Sequence, residues 1–150
     1  MSAELEFDYV IIGGGAAGCV IAARLAAESG GTVALLERGA RDTNRWIHIP
    51  ATFFKALQGS DSDAVVSEPD ASLNGKPFPV PQGKVLGGGS SINGMIYMRG
   101  QHRDYDDWAG EHGCTGWAFK DVLPVFRRQE ANTRIRDEFH GASGKLVVDD

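Results

Sequence analysis

Residues 7–37 read FDYVIIGGGAAGCVIAARLAAESGGTVALLE, and this stretch decides the fold. Its opening run, Phe7 to Ile12, is apolar and rich in β-branched and aromatic residues, as a strand covered on both faces would be, and it stops at Gly13. In the alanine-rich segment that follows, Ala17, Ile21 and Leu25 recur at helical spacing, while Arg24 and Glu28 pair outward at i, i+4. Gly30 and Gly31 end that helix, and a second apolar run, Val33 to Leu36, closes on Glu37. A strand, a helix and a strand within about 30 residues make a crossover unit whose two strands lie parallel. The expected class is therefore α/β, built on a dinucleotide-binding, Rossmann-like parallel sheet.

Between strand and helix stands G-x-G-x-x-G, at Gly13, Gly15 and Gly18. The first glycine permits the tight turn, the second lets a pyrophosphate approach the backbone, and the third brings helix against strand. The helix N-terminus supplies N–H groups and a positive dipole end for the diphosphate. Glu37 follows roughly 20 residues after Gly18, where a carboxylate accepts hydrogen bonds from an adenosine ribose. A 2′-phosphate beside that carboxylate would be repelled, which argues against NADP. On this unit alone NAD and FAD are equally admissible.

A second glycine cluster decides between them. Residues 83–100 read GKVLGGGSSINGMIYMRG, with Ser90 and Ser91 after the three glycines, where they would cap a short helix and present bare N–H groups to an anion. A dinucleotide needs one phosphate loop of the first kind, so a second points to an extended cofactor held at two places. The apolar company of Val85, Leu86, Ile92, Met95, Ile96 and Tyr97 is wrong for a solvated linker.

With these two segments, together with DYDDWA at 104–109 and GWAFKDVLPVF at 116–126, the chain resembles the glucose–methanol–choline (GMC) oxidoreductases over nearly its whole length. WIHIP at 46–50 and the form of the second motif resemble the choline- and alcohol-dehydrogenase branch. The resemblance implies FAD as cofactor, with Gly13, Gly15, Ala16, Ala17 and Gly18 at the ADP pyrophosphate, Glu37 on the ribose and Arg38 near the adenine. It further implies that Val85, Gly88, Gly89, Ser90, Asn93, Gly94 and Met95 line the flavin. Some members carry, at the position of Asn93, a histidine joined covalently to the flavin. An amide cannot form that bond, so FAD is expected to be non-covalent here.

The activity implied is oxidation of an alcohol, with hydride passing to flavin N5 and the electrons leaving to oxygen or another acceptor. The alternatives are a hydroxynitrile-lyase-type member with non-redox FAD, or a non-catalytic nucleotide-binding remnant. Family members place the catalytic histidine far beyond the length of this chain, so no catalytic residue is assigned. On this reading residues 1–150 are the N-terminal part of the FAD-binding domain, with helices near 102–112 and 119–130. The sheet is incomplete, and residues 140–150 begin an α+β substrate-binding domain. Two departures from the family pattern touch the substrate-side loop and one possible cofactor contact, but not the flavin: DAVVSEPD at 63–70 lacks an aromatic before Glu-Pro, and Pro81-Gln82-Gly83 stands where Pro-Arg-Gly is common.

The remaining features exclude more than they assign. A net charge of −5 with scattered Lys and Arg gives no footprint for nucleic acid. Cys19 and Cys114 form neither a disulfide framework nor a zinc ribbon, and His48, His102, His112 and His140 lack metal-ligand spacing. The acidic N-terminus is unlike a secretory leader, no apolar run is long enough to span a membrane, and a cytoplasmic protein is expected. The acidic stretch around Asp104, Asp106, Asp107 and Glu111 reads as the solvated face of a helix. Trp117, Val122, Leu123 and Phe126 read as the buried face of the next one. Residues 56–84 read as an irregular excursion, and Lys145 to Val148 as a strand lacking partners.

Overall fold

In the computed structural model, which describes residues 5–149, strand β1 (Tyr9–Ile12) runs into helix α1 (Ala16–Glu28) and on to strand β2 (Val33–Leu36). The two strands are parallel, with Tyr9 opposite Val33 and Ile12 opposite Leu36, and the ladder closes where the Gly13 N–H donates to the Leu36 carbonyl at 2.7 Å. Residues 1–4, part of the acidic N-terminus considered above, and Asp150 lie outside the described residues. The chain divides after Ile96 into two compact units, and β1 and β2 belong to the first. Among the described residues β1 has β2 as its one ladder partner, which leaves Val10 and Ile12 56% and 87% exposed.

The segment read as an irregular excursion is more ordered than its composition implies. Helix α2 (Phe53–Leu57) is followed by strands β3 (Ser62–Val66) and β4 (Pro79–Gly83), paired antiparallel with Val65 opposite Val80. Pro79 and Pro81 hid the strand, because proline demotes a run. Their two-residue spacing is what permits it. Successive residues face opposite edges, so both prolines turn their donor-less nitrogens from β3, while Phe78, on the bonded edge, exchanges hydrogen bonds with Ser67 at 2.9 Å. The small core of this unit gathers Ala56, Val85 and Ile92, with Ile47 and Leu57 against it. Ser90 and Ser91 do not precede a helix. They lie within a 3-10 turn (Gly88–Ser91) that opens on Gly87, and the Ser91 hydroxyl donates backward to the Leu86 carbonyl at 2.8 Å.

The second unit holds helices α3 (His102–Gly110) and α4 (Phe119–Gln129) and strands β5 (Glu130–Asn132) and β6 (Leu146–Val148). The Asp104 carboxylate accepts the Gln101 N–H at 2.7 Å, and Asp106 accepts the Phe119 N–H at 3.0 Å, tying the start of α4 to α3. The Phe119 ring stacks on His102 with centroids 3.5 Å apart, and Tyr105 meets Phe126 edge-on. Trp117, grouped above with the buried face of this helix, precedes it and is exposed; Phe119 takes the buried place instead. Nor is the last strand unpartnered, for β6 lies parallel to β5 with Ala131 opposite Val147. The node of the unit is Glu130, wholly buried, whose carboxylate accepts from the Arg99 guanidinium and from the Asn132 amide. Arg99 also donates to the Phe139 carbonyl at 2.7 Å, so one cation joins three parts of the chain.

Candidate cofactor-binding site

The end of β1 and the start of α1 form the first wall. Helix α1 opens on Gly15, which has no side chain to cap it, and carries no acidic residue in its first turn. The positive end of the helix is therefore left to an external anion. Gly18 is forced by space, since a Cβ there would lie 1.9 Å from the Gly13 carbonyl oxygen, and its absence lets the helix sit down on the turn. Ala16 and Ala17 hold the outer side of that first turn, both exposed.

The second glycine cluster is not a separate site. It lies directly on the first. The Gly87 N–H donates to the Gly14 carbonyl at 2.7 Å, the Leu86 N–H to the Ala40 carbonyl at 2.9 Å, and Ala40 and Val85 form a parallel bridge. Gly88 is buried at φ +57°, and a Cβ on it would stand 2.8 Å from Gly15 Cα. Two turns distant in sequence thus share one bare, donor-rich surface. Over that surface there is open room: a Cβ on Gly89 would meet nothing within 4 Å, and one on Gly15 only Gly88 Cα at 4.0 Å.

Glu37 ends β2 at the floor of this surface. One carboxylate oxygen accepts the Gly14 N–H at 2.7 Å and the other the Gly39 N–H at 2.6 Å. These two bonds, Gly39's first, hold its carboxyl below the usual glutamate range, with nearby Arg38 adding to them. Arg38 points outward and pairs with Asp63 at 2.9 Å, an acceptor that Lys84 shares at 3.6 Å.

The residues assigned above to the flavin separate into three groups. Gly88, Gly89 and Ser90 belong to the shared surface, the last two exposed. Val85 has no exposed surface and supports the turn from beneath. Asn93, Gly94 and Met95 follow on an exposed stretch, where the Asn93 side-chain oxygen accepts the Met95 N–H at 2.8 Å and Met95 adopts φ +57°. That small Asx turn fixes the course of the chain beyond the cradle. Sequence reasoning passed over Gly14, Ala40, Leu86 and Asp63. Only Gly14 carried a signal, as a glycine at a position the fingerprint leaves free.

A bare backbone surface at the positive end of a helix, with a carboxylate at its side, fits a diphosphate joined to a ribose. Among the described residues no group of three or more His, Cys, Asp or Glu could hold a metal ion, and no helix is long and apolar enough to cross a membrane.

Comparison with known proteins agrees with this geometry. A family model described as GMC oxidoreductase matches residues 7–148. An oxygen-dependent choline dehydrogenase of Brucella anthropi is 41% identical over 145 residues, covering 96% of this chain and 26% of the relative. Pyridoxine 4-oxidase from Mesorbium loti superposes with a TM-score of 0.85 at 33% identity, covering 95% of this chain and 28% of that one. An FAD-dependent oxidoreductase from Chaetomium thermophilum superposes with a TM-score of 0.77 at 30% identity, over 95% and 26%. The chain spans about a quarter of the length of the curated relatives it matches.

Proposed function

We propose, because the chain belongs to the GMC oxidoreductase family, that the complete protein is an FAD-dependent enzyme oxidising an alcohol. The observation that carries the reading is the meeting of the two glycine turns in one open cradle, the Gly87 N–H on the Gly14 carbonyl. Gly13, Gly15, Ala16, Ala17 and Gly18 would hold the diphosphate on backbone N–H groups and the end of α1. Each carboxylate oxygen of Glu37 keeps an acceptor position for a ribose hydroxyl, and Arg38 would lie towards the adenine. Gly88, Gly89 and Ser90, with Asn93, Gly94 and Met95 beyond them, would stand along the flavin, which Val85 supports only from below. When bound, FAD supplies the acceptor for a hydride from the alcohol carbon. The amide of Asn93 lacks the nucleophilic ring nitrogen by which a histidine would join the flavin, which supports non-covalent binding. No residue of this chain is assigned as the proton acceptor for the hydroxyl.

Relatives named as oxygen-dependent dehydrogenase and as oxidase support a small alcohol as substrate and oxygen as acceptor. The test uses the full-length protein. It is expected to purify yellow, to release its flavin on denaturation, and to bleach under anaerobic conditions with choline or another primary alcohol, recovering its colour in air. A colourless protein would sink the cofactor assignment. A yellow one that no alcohol bleaches, but that frees cyanide from a cyanohydrin, would replace the redox reading with a lyase.

A further inference from the structure

Gly14 occupies a free position of the fingerprint, yet it is glycine and it is buried. Its surroundings explain why. A Cβ there would stand 2.9 Å from Leu86 Cδ1, 3.2 Å from Glu37 Cβ and 3.2 Å from Glu37 Oε2. Gly14 has no left-handed φ to require the residue type, so what acts against a side chain is crowding: the Leu86 methyl and the Glu37 side chain would both have to shift to admit one. What the space admits is the Glu37 carboxylate, whose two oxygens take the Gly14 and Gly39 N–H groups. The Gly14 carbonyl in turn takes the Gly87 N–H. One residue, through its N–H and its carbonyl, thus links the end of β2, the first turn and the second.

We propose that Glu37 is a positioning residue, a clasp that fixes the phosphate turn on both sides before any cofactor arrives, and that Gly14 is glycine to admit it. The proposal rests on the FAD-binding reading for its purpose, though not for its test. Glutamine cannot replace the clasp: its amide has one acceptor oxygen, and its NH2 would confront the second N–H donor to donor. Charge-assisted bonds of this kind are about twice as strong as neutral ones.

The test measures hydrogen exchange at Gly14 and Gly39 in flavin-free full-length protein labelled at glycine nitrogen. Wild type is expected to protect both amides. Glu37→Gln is expected to speed exchange by about tenfold or more at whichever of the two amides faces the NH2 group, since that N–H loses a charged bond. Gly14→Ala is expected to speed exchange at Gly39, and the double variant to show less than the product of the two effects. Wild-type exchange rates at both Gly14 and Gly39 in Glu37→Gln would overturn the clasp and leave Glu37 a ribose acceptor only. If neither variant folds, the wild-type protein decides. Its Gly14 and Gly39 amide shifts should move together through one midpoint below the ordinary glutamate range, and separate midpoints or none would refute the proposal. Cofactor content is read independently by colour, so a colourless protein with both amides protected overturns the proposed function and leaves the clasp standing.

Discussion

Gly88 and Gly89 are adjacent, and the structure expects opposite things of them. Gly88 is buried at φ +57°, where a left-handed conformation costs an alanine about 1–2 kcal/mol. The added methyl would also stand 2.8 Å from Gly15 Cα, which is backbone and cannot rotate away. Overpacking of this kind costs about 1–3 kcal/mol, so Gly88→Ala is expected to lose about 2–5 kcal/mol in all. The loss falls on the contact between the two turns. Since 1.4 kcal/mol is about tenfold in a binding constant, it should appear as FAD affinity lowered by roughly one and a half to three and a half powers of ten. If the turns part only with wider unfolding, it should appear as a lower melting temperature of the apoprotein. Gly89→Ala meets nothing within 4 Å and needs no positive φ. It should melt as wild type without cofactor yet bind FAD more weakly, because its methyl enters the space left for the ligand. Both are read by flavin fluorescence on titrating FAD into apoprotein, and by thermal scans before and after. A Gly88→Ala protein with wild-type flavin content and melting temperature would refute the claim that the two turns are pressed together. Wild-type affinity in Gly89→Ala would refute the claim that the cofactor passes over it.

Other outcomes follow from the same geometry. Gly18→Ala puts a methyl 1.9 Å from the Gly13 oxygen and should abolish soluble expression or cost more than about 3 kcal/mol in denaturant titration. Removing the buried carboxylate with Glu130→Ala leaves the Arg99 cation without its charged partner and should cost about 3–5 kcal/mol, read the same way; a stable variant would deny Glu130 its place as the node of the second unit. Glu37 has a lowered pKa in the folded chain, so its contribution is complete above the unfolded value and is lost as pH falls through the folded one. Flavin retention should accordingly be flat from neutral pH down to the ordinary glutamate range and drop below it, in an ultrafiltration assay. The 150-residue chain produced by itself should associate through the unpaired edge of β1, and a monomeric preparation by light scattering would count against that.

The strand, helix and strand at the N-terminus were legible because each rests on local periodicity and on glycines whose spacing carries a mechanical meaning. The second glycine cluster was legible as a motif. That it lies on the first was not, because the Gly87–Gly14 bond joins residues far apart in the chain and no local pattern encodes it. β4 was hidden for a different reason. Propensity sees two prolines and misses that their spacing turns both nitrogens to one edge. The helix itself was placed correctly near 119, but Trp117, two residues before it, was counted on its buried face; the carboxylate that anchors the start of α4, Asp106, lies on the preceding helix, where no local pattern shows it. Val85 shows the limit of assigning a site by motif: it sits among cofactor residues in sequence and in the hydrophobic core in space.

The bond between Gly14 and Gly87 also closes a loop, with Ala40 and Leu86 doubling the seal. Between Ala40 and Leu86 lie α2, whose Ala56 packs on Val85, and beyond it the β3–β4 pair with its connecting turn. The entropy of closing such a loop grows only with the logarithm of its length, each doubling adding about 0.6 kcal/mol. The excursion is therefore where this architecture tolerates insertion and deletion at small cost to the cradle.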